Sequence, residues 1–144
     1  MAISTAPAVK QKILDLLAAN TDLNGVTVTW SAPTNDSDYQ ADNIWLGDVE
    51  QEEDFRILGA QRIDETYTIE IFVQAVALGD VEKTAEDRAW VLRDEVVQSL
   101  RADLTLGGTV NQWVGPFPTR METRPLPNGW LSKGRLLLTC RART

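Results

Sequence analysis

The stretch 65–77, ETYTIEIFVQAVA, decides the fold. Tyr67, Ile69, Ile71, Val73 and Ala75 alternate with Thr66, Thr68, Glu70, Phe72 and Gln74. A period of two places the first set on one face of a strand and the second on the other. One face is wholly apolar and must be covered, while the other is mixed. The preceding FRILGAQRI, residues 55–63, is apolar enough to pair with it. A turn near Gly59 would then make a long β-hairpin over 55–77.

Two segments have the spacing to cover such a sheet. Over 80–103, Val81, Ala85, Ala89, Leu92, Val96 and Leu100 recur every three or four residues, and Trp90, Val97 and Leu104 widen the stripe. Asp80 suits the N-cap, and Glu82 suits the positive end of the helix dipole. Trp90 is expected in the core. Over 5–19, Val9, Ile13, Leu16 and Leu17 form an apolar face, with Thr5 able to cap the start and Pro7 in the first turn.

The remaining segments read as strands and turns. VTVTW (26–30) and NIWLGDV (43–49) are short strands, separated by a polar loop over 31–42 and followed by an acidic stretch over 50–54. TVNQWVG (109–115) is a candidate strand, and the proline-bearing 116–129 is an edge segment or ordered loop. Asn128-Gly129 signals a hairpin turn before a last strand over 130–143. These elements predict one α+β domain over 1–144: a mixed or antiparallel sheet, two main helices on one face, and a long hairpin.

Composition narrows the function classes. The 144 residues suffice for one sizeable core, and 43% hydrophobic content is that of a folded chain. No run of about 18 apolar residues spans a membrane, and the start lacks a signal-peptide pattern, so folding in a cytoplasm is expected. There is no histidine, which removes the commonest general base and metal ligand. Cys140 is the single cysteine, on the apolar side of the last strand, and reads as a core residue. Asp64 and Glu65 are adjacent on a strand and diverge, so they make no catalytic pair. Asp36, Asp38 and Asp42 do not meet the EF-hand pattern, and Gly107-Gly108 reads as a turn. The expectation is a chain that is not an enzyme and has no cofactor and no metal.

The net charge of −7 disfavours a grip on phosphate backbones. That charge is unevenly distributed. Eight acids and no base lie between Asp36 and Asp54: Asp36, Asp38, Asp42, Asp48, Glu50, Glu52, Glu53 and Asp54. From Phe117 onward there are six bases (Arg120, Arg124, Lys133, Arg135, Arg141 and Arg143) against Glu122. Such a chain can pack head-to-tail, the acidic surface of one copy against the basic surface of the next. A solvated acidic loop beside a basic strand face is the plainer reading. Five tryptophans exceed what one core needs, so Trp45, Trp113, Phe117 and Trp130 are candidate interface aromatics, divided evenly between core and interface.

The order of these segments resembles the tail-terminator, or tail-completion, proteins of long-tailed bacteriophages. The likeness runs from LLAANTDLNGVTVTW through IWLGDVEQEEDFRILGAQRIDETYTIEIFVQA and TAEDRAWVLRDEVVQSLRADLTLGGTV to GRLLLTCRART. It is one of arrangement, without a short motif or catalytic residues to transfer. It implies a structural virion protein assembled in the host cytoplasm: a hexameric ring at the tail–neck junction that caps the tail tube, halts its polymerisation and meets the head–tail connector. DNA would pass through the lumen without specific binding, and an acidic lining would suit that passage. The acids of 36–54 would face the lumen or the neighbouring subunit, with Arg120, Arg124, Arg135, Arg141 and Arg143 as their complement. Head-completion proteins look similar, and a soluble protein-binding module is the remaining alternative.

Overall fold

A computed structural model describes residues 5–31, 42–57, 62–79, 82–103 and 112–143. Helix α1 (Ala6–Ala19) precedes a 3-10 turn at Thr21–Leu23 and strands β1 (Thr27–Thr29), β2 (Asn43–Ile57) and β3 (Arg62–Leu78). Helix α2 (Glu82–Arg101) and strands β4 (Gln112–Leu126) and β5 (Gly129–Arg143) follow. The strand order is β1-β2-β3-β5-β4. Among the described strands only β1 runs parallel to its neighbour, so the sheet is mixed and the predicted α+β class stands.

The alternation of 65–77 carries the core. Directly paired residues share a face, and Ile69 pairs with Val49 and Leu138, Ile71 with Leu46 and Leu136, and Tyr67 with Cys140. Against this layer pack Ala6, Val9, Ile13 and Leu17 of α1 and Ala89, Leu92, Val96 and Leu100 of α2, all in one buried cluster. Both helices therefore cover the same face. Toward its end, β3 is buried on both faces, from Val73 through Ala77. Trp90 lies one residue off the buried α2 stripe and is 38% exposed, which corrects its expected place in the core.

Polar contacts fix the helices on the sheet. Thr5 stands at the start of α1 but makes no side-chain cap. Its N–H and hydroxyl instead donate to Glu65 Oε1 at 2.8 and 2.9 Å, and the hydroxyl meets Tyr67 Oη at 2.7 Å. At the other end, the Asn20 amide donates to Glu95 Oε2 (3.0 Å) and Ser99 Oγ (2.9 Å), tying α1 to α2. Asp80, the expected α2 cap, lies outside the described residues.

The strands run further than their sequences suggest. The acids of 50–54 continue β2, pairing Glu50 with Thr68, Glu52 with Thr66 and Asp54 with Asp64. The hairpin therefore begins at Asn43, not at Phe55. Between Leu46 and Val49 the register shifts, and both residues keep the helix-facing side despite the odd spacing. Gly47 is needed there, because a Cβ would lie 2.6 Å from the Phe72 ring. β4 runs through Pro116, Pro118 and Pro125 as an edge strand, a place that tolerates missing N–H groups. The β4–β5 turn is Pro127-Asn128, with Leu126 paired to Gly129, one residue earlier than the Asn128-Gly129 signal. A Cβ on Gly129 would meet Ala77 O at 2.3 Å, so close backbone approach requires glycine at that position.

Candidate assembly surface

Folding turns the charge asymmetry of the sequence into an asymmetry across the sheet. β2 carries five acids and Arg56, net −4, and β3 carries Arg62 against Asp64, Glu65 and Glu70, net −2. β5 carries four bases and no acid, net +4, and β4 has Arg120 and Arg124 against Glu122, net +1. The summed strand charge thus changes sign between β3 and β5. Strands lie about 4.8 Å apart, so β2 and β4 are separated by roughly 14 Å. That distance exceeds the screening length of roughly 8 Å at physiological salt, so the two margins act on outside partners as separate charged surfaces.

The register places members of the two predicted charge sets level with each other in one chain. Glu52, Thr66, Arg141 and Gln112 form one row, and Asp54, Asp64 and Arg143 another. Arg135 pairs with Glu70 on the neighbouring strand, and Arg120 pairs with Glu122 on its own strand. Asp48, Glu50, Arg120 and Arg124 are exposed. Asp42 has a local role: it accepts the Val76 N–H at 3.1 Å and pairs with Arg88 of α2. Asp36 and Asp38 lie outside the described residues, and for Glu52, Glu53, Asp54, Phe117 and Arg143 only the backbone is described.

The aromatic candidates occupy different environments. Trp45 is 3% exposed and stacks on Phe72 with ring centroids 5.4 Å apart, and Lys133 Nζ lies 5.4 Å from its ring. Trp113 packs half-buried against the core, and its indole N–H has no hydrogen-bond partner among the described residues. Trp130 is half-buried.

Beside Trp45 lies a groove of about 520 Å³ lined by Lys10, Trp30, Asp48, Glu70, Phe72 and Lys133. Trp30 is 41% exposed and carries Lys10 Nζ 4.5 Å over its ring, a cation–π contact. Desolvation lowers the Lys10 pKa, and Asp48 opposes that shift. Neither Lys10 nor Trp30 stands out in the sequence, because their meeting depends on α1 lying across the end of β1.

Among the described residues, no three His, Cys, Asp or Glu side chains converge on a metal position. Cys140 is fully buried, and desolvation pushes its pKa up to about 12, so its thiol is protonated at neutral pH. No described helix is long and apolar enough to cross a membrane.

No protein-family model matches the chain, and no curated protein matches it. A solved structure does. A chain of the virion of a native gene transfer agent particle is 14% identical, with a TM-score of 0.53, over 99% of this chain and 100% of that one. At that identity the likeness is one of fold, and it extends over essentially the entire length of both chains.

Proposed function

We propose that this chain is a non-catalytic structural virion protein. In this reading it forms a six-membered ring that caps a phage tail tube, stops tube growth and offers the head connector its attachment surface. The observation carrying the reading is the end-to-end fold likeness to a chain of a virion particle. The polarised sheet supports it, because a subunit with one acidic and one basic margin suits repeated head-to-tail packing. The acids of β2 also suit a position at a lumen through which DNA slides, since they repel phosphates.

The test is to add the purified protein to growing tail tubes and measure their lengths in micrographs. Tubes that end at a fixed length, with protein density at one end, are expected. Unaltered tube growth together with binding to filled heads would replace the tail-cap role by head completion. Binding to neither would overturn the virion reading.

A further inference from the structure

We infer that the acidic β2 margin of one copy docks against the basic β4–β5 margin of a second copy. This rests on the ring reading above and specifies which surfaces meet. The argument is one of charge and symmetry. A twofold contact between two β2 margins would set Asp48 and Glu50 against their own equivalents. A twofold contact between two β4 margins would set two strands of net positive charge together, with Arg124 against its equivalent and Arg120 held by Glu122 of its own strand. Like charges brought together destabilise either arrangement. Only the heterologous contact, −4 against +5 for β4 and β5 together, brings opposite charges together. A heterologous contact repeats, and closes into a ring when its rotation divides a full turn.

The mode of contact also follows. Pro116, Pro118 and Pro125 supply no N–H, so β4 cannot offer a continuous ladder to an added strand. The margins meet through side chains, and Arg120 and Arg124 supply fork-shaped donors suited to the carboxylates of Asp48 and Glu50. Because these groups are exposed, the contact is sensitive to salt.

The experiment uses two full-length double variants, Asp48→Lys/Glu50→Lys and Arg120→Glu/Arg124→Glu. Each is studied alone, mixed in equal amounts, and beside the wild type, by sedimentation velocity at low ionic strength and up to about 1 mM protein. Circular dichroism checks that each is folded. The wild type is expected to assemble, and each variant alone to self-associate at least about tenfold more weakly. The mixture is expected to reassemble, because at positions 48, 50, 120 and 124 each of its contacts sets opposite charges against each other. A monomeric wild type, a variant that assembles as well as the wild type, or a folded mixture that stays apart would each overturn the inference. A reassembling mixture beside a wild type that leaves tube length unchanged would keep the interface and remove the tail-cap role. A wild type that caps tubes while the reversals assemble normally would do the opposite.

Discussion

Glu65 is the most consequential polar residue in the fold, and replacing it gives a graded test of how α1 is held. The carboxylate is 2% exposed and accepts from the Thr5 N–H, the Thr5 hydroxyl and the Gln51 amide. The Thr5 N–H belongs to the start of α1, where the helix dipole is positive, so a buried carboxylate is favoured there without a cationic partner. Glu65→Leu leaves the half-buried Thr5 N–H without an acceptor, while the Thr5 hydroxyl keeps Tyr67 Oη and the exposed Gln51 amide turns to water. One orphaned N–H, together with the lost charge-assisted hydrogen bonds, costs about 2–3 kcal/mol. Glu65→Gln should cost less. Its carbonyl still accepts from Thr5, and a half-turn of the Gln51 amide presents an oxygen to the new N–H group, so roughly 1 kcal/mol of charge assistance is lost. The assay is urea unfolding followed by circular dichroism, with unchanged slopes required before midpoints are compared. For a chain of this length the leucine variant should also melt roughly 4–12 °C lower. If it were as stable as the wild type, the desolvation of the carboxylate would equal what its hydrogen bonds return, and Glu65 would not hold the helix.

Three further outcomes follow from the packing. Gly129→Ala should destabilise by about 2–3 kcal/mol in urea melts, because its Cβ meets the Ala77 and Leu78 backbone, whereas Gly134→Ala should cost less, because its nearest obstacle is the flexible end of Met121. Equal losses would refute that distinction. The Cys140 thiol should react with a disulfide reagent only as fast as the chain opens, and several-fold faster in subdenaturing urea; prompt stoichiometric labelling in buffer would contradict its burial. Burial raises the pKa of Cys140 and, despite the opposing Thr5 hydrogen bond, that of Tyr67, so both lose protons more readily when the chain unfolds. The contribution of these two groups to stability should therefore be level below about pH 9 and fall as pH rises toward about 12, with Cys140→Ala flattening the first part of the fall.

The sequence by itself settled the parts of this protein that depend on local repetition. The period-two run of 65–77 specified the central strand and its buried face, and the three-and-four spacings of Val9, Ile13 and Leu17 and of Ala85 to Leu100 specified both helices. Periodicity is legible where one side of an element meets the core and the other meets water. It failed for the acids of 50–54, because Glu50 and Gln51 are both exposed on the outer part of β2 and no alternation marks them as strand. It also failed for Trp90, whose position one residue off the stripe turns it toward solvent. The charge asymmetry was visible as composition, but its geometry was not. Strand order lies in long-range pairing, and the placement of β5 between β3 and β4 set the bases on one side of the sheet and the acids on the other. The groove where Lys10 meets Trp30 and the Thr5–Glu65 contact join residues 20 and 60 positions apart, so only the packing of α1 on the sheet could bring them together.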